Sequence, residues 1–132
     1  MSNRIPSYMP VGIPPTRRYD AKTLSSKARG AIANPANECV RSIASCWEMA
    51  IKVSLGKLRL PAGMERFIPE QVAANAFRQL AIDFRHVARV AALPFHHRDP
   101  FDRLLVAQAI EERCPIVSAD PVFRKYGVTR IW

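Results

Sequence analysis

Cysteine and long apolar runs are scarce in this chain, and their scarcity excludes several classes of protein. The three cysteines, Cys39, Cys46 and Cys114, are odd in number and form no Cys-x-x-Cys pair. This pattern disfavours both a disulfide framework and a zinc site. No apolar run approaches the roughly 20 residues of a membrane span, and the proline-rich N-terminus lacks the apolar core of a signal peptide. We therefore expect a cytoplasmic protein with reduced thiols, neither secreted nor membrane-bound.

Acidic residues are also few, with 11 Asp and Glu against 20 Lys and Arg, so that the net charge is +9. A basic field of this size attracts polyanions, of which nucleic acid is the commonest. An acidic protein partner, or solubility alone, is the alternative explanation of the charge. The chain contains no glycine-rich phosphate loop and suggests no Ser-His-Asp or Cys-His catalytic set. The charge therefore favours a nucleic-acid partner without identifying the chemistry.

The length of 132 residues fits one domain, and 48% apolar residues indicate a globular chain. Residues 1–19 are rich in proline and arginine and show no period, so we predict an irregular N-terminal segment before a domain at 20–132. Strands alternate with helices in that domain, which favours an α/β fold with a mostly parallel sheet. In chain order the predicted elements are helix 25–32, strand 38–43, helix 45–56, a helix from 69, a strand near 82, helix 86–93, helix 99–113, strand 115–118, helix 121–126 and strand 128–132.

Three acids lie on the strand-to-helix side of their units. Asp99 followed by Pro100 is typical of a helix start, with an acidic N-cap and proline at the first helical position. Asp102 then lies in the first turn of this helix, and Asp120 lies just past the next strand. Glu48 lies in the first turn of an earlier helix. Because parallel units bring such positions to one edge of a sheet, we expect Glu48, Asp102 and Asp120 to meet there.

Helix capping is the alternative role for each acid taken alone. Ser45 and Glu48 have the spacing of a capping box, with serine at the N-cap and glutamate three residues later. Asp102 can play the same part opposite Asp99. Asp120, which precedes a proline, can be a simple N-cap.

Taken together, Glu48, Asp102 and Asp120 favour a metal site. Three carboxylates within a few ångströms repel one another unless a cation is shared between them. Mg²⁺ or Mn²⁺ suits a set of oxygen ligands and keeps some of its waters. Such an ion can activate water for attack on a phosphodiester. In a basic protein this chemistry indicates cleavage of nucleic acid.

Four basic residues lie near these acids in the sequence and are candidates for steering RNA: Lys52, Lys57, Arg98 and Arg103. The alternative for each is an ordinary exposed position. Trp47 and Trp132 occupy core-spaced positions, so we predict that they pack rather than stack on bases. The predicted apolar stripe of the helix that carries Glu48 consists of Trp47, Ala50, Ile51 and Leu55. We expect a structural role for His86 and a solvated loop for His96 and His97.

Three stretches resemble the PIN-domain family, in the branch of VapC-type toxins from bacterial toxin–antitoxin pairs. Residues 45–58 contain Ser-Cys-Trp-Glu-Met-Ala-Ile-Lys and then Gly-Lys-Leu, similar to the family's S-x-W-E-I-A-I-K…G-K-L. Residues 97–109 match H-R-D-P-F-D-R-L-L-x-A-Q-A. Residues 117–132, with Val-Ser-Ala-Asp at their start and Ile-Trp at their end, are similar to the branch's closing pattern. The resemblance covers roughly residues 20–132, with the three motifs in the family's order.

The resemblance implies a three-layer α/β/α sandwich around a mostly parallel sheet and a Mg²⁺-dependent (or Mn²⁺-dependent) endoribonuclease. It also implies a VapB-like antitoxin that blocks the site, and a homodimer. Glu48, Asp102 and Asp120 match the family's metal-binding, catalytic acids. Asp99 matches an acidic position with a capping or outer-shell role. Ser118 stands where the family often has threonine, within reach of a ligand carboxylate or a metal-bound water.

The chain departs from the family at its N-terminus. The family opens with a strand of the form L-L-D-T-H, whose aspartate is a further metal ligand and would fall near Pro10 or Val11. No acid occurs before Asp20. We also expect residues 7–15 to be unsuited to a central strand, since proline cannot donate to the ladder. The first strand is therefore predicted to be absent or irregular, and the site to be one carboxylate short and impaired or inactive. A shifted reading frame or altered gene start upstream of about residue 20 would explain both defects, which sequencing of the upstream DNA tests.

Overall fold

A five-stranded, fully parallel sheet lies at the centre of the computed structural model, which describes residues 7–8, 25–34, 39–74, 77–96, 98–118 and 120–132. The strands in these ranges are β1 (Ser7–Tyr8), β2 (Cys39–Ser42), β3 (Arg78–Leu80), β4 (Ile116–Val117) and β5 (Arg130–Ile131). Their spatial order is β3-β2-β1-β4-β5. The order reverses direction at β1, and ligand sites of open α/β sheets form at the carboxyl ends of strands beside such a reversal.

The helices between the strands are α1 (Ser26–Ala33), α2 (Ile43–Ser54), α3 (Met64–Ala74), α4 (Phe84–Ala92) and α5 (Pro100–Glu112). A 3₁₀ helix, Pro121–Tyr126, follows β4 and ends at Gly127, which has the positive φ of a C-cap glycine. The predicted boundaries of α1, α5 and this last helix agree closely with the structure. Their caps explain the agreement, because Ser25, Asp99 and Asp120 each accept a backbone N–H of the following helix.

Two apolar clusters on opposite faces of the sheet establish the three-layer α/β/α arrangement. Val40 and Ile116 contribute to one cluster, together with residues of α2 and α5. Their strand neighbours, Cys39 and Val117, contribute to the other cluster, together with α1. Successive residues of a strand point to opposite faces, so helices cover both sides of the sheet. The predicted fold class is confirmed.

The first strand requires a correction. Ser7–Tyr8 forms β1 between β2 and β4, with Ser7 paired to Cys39 and Tyr8 paired to both Val40 and Ile116. This strand is two residues long, and neither of its paired residues is a proline. Ser7 and Tyr8 therefore each have a backbone N–H. Residues 7–8 therefore belong to the sheet rather than to an irregular segment. The predictions of an irregular segment and a missing strand also fall on residues 1–6 and 9–24, which lie outside the described residues.

The start of α2 is also corrected. Its N-cap is Ser42, whose Oγ accepts the Ala44 N–H at 3.0 Å, and not Ser45. Ser45 is a buried residue inside the helix, so the predicted Ser45–Glu48 capping box does not form. The buried stripe of α2 consists of Ala44, Ser45 and Met49.

The residues predicted to form that stripe are more exposed. Leu55 is 62% and Trp47 57% exposed, so Trp47 is not a core residue. The Trp47 ring instead packs edge-to-face against Phe101, with 5.0 Å between ring centroids. Trp132 is partly buried against the cluster that contains Cys39 and Val117, as predicted.

The helix predicted to begin near Pro69 begins five residues earlier, at Met64, and Pro69 lies inside it. This helix buries Phe67 and Ile68, both of which lie before its predicted start. Phe77 is buried just before β3. The strand predicted near residue 82 corresponds to β3, which ends two residues earlier, at Leu80.

The three cysteines, all within the described ranges, form no disulfide, and Cys39 and Cys114 are buried. Among the helices of the described ranges, none combines the length and apolar character needed to cross a membrane.

Candidate metal centre

Asp102 lies in the first turn of α5, where the helix start fixes its position. Asp99 caps this helix, because its Oδ1 accepts the N–H groups of Phe101 at 2.9 Å and of Asp102 at 3.3 Å. Pro100 at the first helical position needs no acceptor for a backbone N–H. The Asp102 carboxyl is therefore carried at the positive end of a 13-residue helix.

Three other carboxylates act on Asp102. Burial has the largest effect on the pKa of Asp102, followed by the negative charges of Asp99, Glu48 and Asp120 in that order. Together, and against the lowering effect of Lys52, they raise this pKa to about 7. A charge perturbs a neighbouring pKa in this way only when the two groups are close. The structure thus brings Glu48, Asp102 and Asp120 to one side of the sheet, as the topology predicted.

Glu48 shares this environment from the side of α2. Its pKa is raised by burial and by the charge of Asp99, and lowered by the charge of Lys52. With Ser42 as the N-cap, Glu48 lies in the second turn of α2 and does not serve in a capping box. The alternative that Glu48 is a capping residue is therefore wrong.

Asp120 reaches the cluster from the loop after β4. The Ser118 Oγ accepts the Asp120 N–H at 3.0 Å, and Ser118 itself is completely buried. One carboxylate oxygen of Asp120 accepts the Val122 N–H at 3.0 Å and caps the last helix. Asp120 thus combines a capping role with a position beside Asp102. Ser118 positions the backbone of Asp120, and its predicted contact with a carboxylate or a bound water stays a prediction.

The four predicted basic residues divide into two groups. Lys52 is half-buried and close enough to lower the pKa of both Glu48 and Asp102. Lys57 and Arg98 are exposed. Their contact with RNA stays a prediction.

Arg103 does not belong with them, and its predicted role in steering RNA is corrected. It is only 7% exposed and donates to the carbonyl oxygens of Pro94 at 2.8 Å and Val90 at 3.3 Å. A further bond goes to the Leu93 carbonyl at 3.4 Å, and its guanidinium lies 4.3 Å from the centre of the Phe95 ring. Arg103 therefore binds the C-terminal end of α4 to α5.

The donor set of the cluster suits a hard divalent cation. Its ligand atoms are carboxylate oxygens, which Mg²⁺ and Mn²⁺ prefer. The raised pKa of Asp102 reports accumulated negative charge that a cation would relieve. Glu48, Asp102 and Asp120 would hold such an ion. Their oxygens do not all lie within 4.8 Å of one another, so retained waters or side-chain rotation would complete the coordination.

A second group of potential ligands, which sequence reasoning did not identify, lies between α4 and α5. The ligand atoms of Asp83, His86 and Glu112 all lie within 4.8 Å of one another, the one such group in the part of the chain described. Arg85 forms hydrogen bonds with both carboxylates. His86, completely buried, forms hydrogen bonds at both ring nitrogens. These contacts satisfy the group without a metal and confirm the structural role expected for His86.

The family model described as PIN domain matches residues 19–128, which is most of the chain. The matched range contains Glu48, Asp102 and Asp120. A search of curated proteins finds no significant match.

Proposed function

Because this chain belongs to the PIN-domain family, whose members are generally metal-dependent nucleases, we propose that it is a Mg²⁺- or Mn²⁺-dependent endoribonuclease of the VapC type. The observation that carries the proposal is the raised pKa of Asp102, to which the charges of Asp99, Glu48 and Asp120 contribute. The repulsion between carboxylates this close together lowers the stability of the folded protein. A divalent cation bound between them would relieve that repulsion. The sequence motifs around Glu48 and Asp102, which resemble those of VapC toxins, support this substrate class.

Each residue of the site has a proposed part in RNA cleavage. Glu48, Asp102 and Asp120 hold the cation, and Asp99 fixes Asp102 by capping α5. When bound, the cation supplies charge stabilisation at the phosphodiester and lowers the pKa of an attacking water. Lys52 adds a positive charge beside the acids, which favours approach of the anionic backbone.

The net charge of +9 supports RNA as the substrate. We also propose two protein partners, a VapB-like antitoxin that covers the site and a second copy of the chain. Both rest on the resemblance of the sequence motifs. Light scattering with size-exclusion chromatography, on the protein alone and mixed with a VapB-like antitoxin, tests them.

A second candidate is a catalytically inactive PIN domain that still binds an antitoxin or RNA. One observation favours it: no acid occurs before Asp20, so the aspartate of the family's first strand has no counterpart. Three carboxylates would then have to do what four do in the family.

A cleavage assay separates the two candidates. The purified protein is incubated with single-stranded RNA in Mg²⁺, Mn²⁺ or EDTA. We expect metal-dependent cleavage that falls by more than about 100-fold in Asp102→Asn, since even indirect perturbation of a metal site costs 10- to 100-fold. Glu70→Gln removes an acid from an exposed pair with Arg66 and is the matched control. RNA binding without cleavage in either metal would contradict the nuclease and support the inactive form.

A further inference from the structure

A chain of buried polar groups connects α2 with α5. At one end, the Ser42 hydroxyl accepts the Ala44 N–H at 3.0 Å and donates to Oε1 of Gln108. Ser42 caps the helix that carries Glu48, and Gln108 lies on the helix that carries Asp102. The two residues are 66 positions apart in the sequence, and both are completely buried.

The amide group of Gln108 continues the chain towards α4. Its Nε2 lies 3.4 Å from the Ala81 carbonyl oxygen and 3.4 Å from Nδ1 of His86. Nδ1 also accepts the Asp83 N–H at 3.1 Å, and the opposite ring nitrogen, Nε2, lies 2.9 Å from Glu112.

The directions of these hydrogen bonds are mutually consistent. The single Ser42 proton points to Oε1 of Gln108, because the Ser42 oxygen is the acceptor for Ala44. Both amide protons of Gln108 then have acceptors, one at Ala81 and one at Nδ1 of His86. The single lone pair of Nδ1 is shared by the Asp83 and Gln108 N–H groups, so the ring proton of neutral His86 lies on Nε2 and is donated to Glu112. Reversing the Gln108 amide would place its NH₂ group against the Ser42 proton and its oxygen against the Nδ1 lone pair, so the network specifies one orientation.

We propose that Gln108 is a positioning residue of the metal centre, which holds the N-terminus of α2 against α5 and so sets the separation of Glu48 from Asp102. His86 is its second support, since it fixes the amide orientation from α4. The inference rests on the proposed function, because the separation of Glu48 from Asp102 matters for metal binding only if both residues hold the metal ion. Fully satisfied buried networks of this kind select one arrangement of the elements that they join.

The test compares two substitutions at position 108 in the full-length protein. Gln108→Met keeps the length of the side chain but removes its hydrogen bonds, whereas Gln108→Glu keeps an oxygen for the Ser42 hydroxyl. Mn²⁺ affinity is measured by water-proton relaxation. We expect Gln108→Met to bind Mn²⁺ about 10-fold more weakly than the wild type, as for other supports of metal ligands. Gln108→Glu should not recover this loss, because its second oxygen faces the Ala81 carbonyl oxygen and Nδ1 of His86, where the wild-type amide donates.

Leu105→Ala is the control for a purely structural effect. Leu105 is a buried residue of α5 that belongs to the apolar cluster and not to the polar chain. It should lower thermal stability and leave the Mn²⁺ affinity of the folded protein unchanged. Equal Mn²⁺ affinity in Gln108→Met and the wild type would overturn the inference. If Gln108→Met does not fold, Ser42→Ala and Ser42→Thr give the same comparison, with the loss expected only for alanine.

A second measurement separates the inference from the proposed function. Hydrogen exchange of the Ala44 amide reports the α2 cap without any metal, and we expect it to be about 10-fold faster in Gln108→Met than in Leu105→Ala at matched stability. A wild-type protein that binds no Mn²⁺ would contradict the proposed function, and the Ala44 exchange would still decide the inference. Unchanged exchange would overturn the inference even in an active nuclease.

Discussion

Burial among like charges makes the ionisation of Asp102 costly to the folded protein. The folded carboxyl has a pKa of about 7, whereas an ordinary aspartate has 3.8. Between these two pH values the folded state retains a proton that the unfolded chain loses. Stability without metal should therefore fall as the pH rises from about 4 to about 7, and stay low above that range.

Asp102→Asn should remove this cost. At pH 8 in EDTA we expect the variant to be more stable than the wild type by on the order of 2 kcal/mol. This is less than the full pKa shift of Asp102 would give, because water screens the charge of a half-buried group. At pH 4 the two proteins should be nearly equal, since Asp102 is then protonated. Urea unfolding at both pH values checks this, with Glu70→Gln as the exposed control. A gain of the same size at pH 4 and pH 8 would show that charge is not its cause.

The sequence was sufficient to predict which acids converge, but not every residue around them. Glu48 and Asp120 each follow a strand by a few residues, and Asp102 lies in the first turn of α5. A parallel topology is enough to bring such positions together. Arg103 follows Asp102 directly, and nothing local distinguishes it from a surface arginine. Its acceptors are carbonyl groups at the end of α4, so its structural role depends on the packing of α4 on α5.

At the scale of elements, the start of α2 depends on a choice between two serines. Ser42 and Ser45 are three residues apart, and either could cap a helix on local grounds. The contact of Ser42 with Gln108 favours Ser42, and a residue 66 positions away cannot be predicted from local spacing. Ser45 Oγ is buried and has no hydrogen-bond partner among the described residues.

Alanine substitutions should distinguish the two serines. Ser42→Ala should lower the free energy of unfolding by about 1 to 2 kcal/mol, because it removes the cap and the bond to Gln108. Ser45→Ala removes a buried hydroxyl without a partner, so we expect no loss and a small gain in stability. Chemical denaturation of both variants is the measurement. A larger loss for Ser45→Ala than for Ser42→Ala would restore the sequence-based choice of cap.

The junction of α4 and α5 depends on Arg103. Arg103→Met keeps much of the apolar stem but removes the Arg103 donor from the carbonyl groups of Pro94 and Val90. The Val90 carbonyl then keeps only the Leu93 N–H. We expect a loss of about 2 to 4 kcal/mol in the free energy of unfolding. Arg98→Met, at an exposed position five residues earlier, should change stability by less than about 0.5 kcal/mol. Similar small effects at both positions would show that Arg103 is not a structural residue.

At the scale of the whole molecule, the position of β1 shows a limit of reasoning from composition. The proline-rich start of the chain argues against a central strand. A two-residue strand needs only two paired positions, however, and Ser7 and Tyr8 provide them between Pro6 and Pro10. The pairing partners lie on β2 and β4, more than 30 and more than 100 residues away, so tertiary context overrides the local composition. The three-layer arrangement, in contrast, was predictable from the alternation of strands and helices.

The net charge of +9 makes RNA affinity a property of the whole surface. Each lysine or arginine that neutralises a phosphate of single-stranded RNA contributes about −0.7 to the slope of log K against log salt concentration. We expect Lys57→Ala and Arg98→Ala each to make this slope shallower by about that amount, because both residues are exposed and follow or precede the acids in sequence. Fluorescence anisotropy with a labelled RNA in EDTA, which prevents metal-dependent cleavage, gives the slope.

Arg66→Ala is the matched control for this measurement, because Glu70 already balances the Arg66 charge at 3.0 Å. Its slope should equal that of the wild type. If Lys57→Ala and Arg98→Ala also leave the slope unchanged, these residues contact no phosphate, and the RNA must approach the acids from another side. If all three variants make the slope shallower by the same amount, the binding is non-specific attraction to a basic protein. A charge that is already paired within the fold would then contribute as much to RNA binding as an unpaired one.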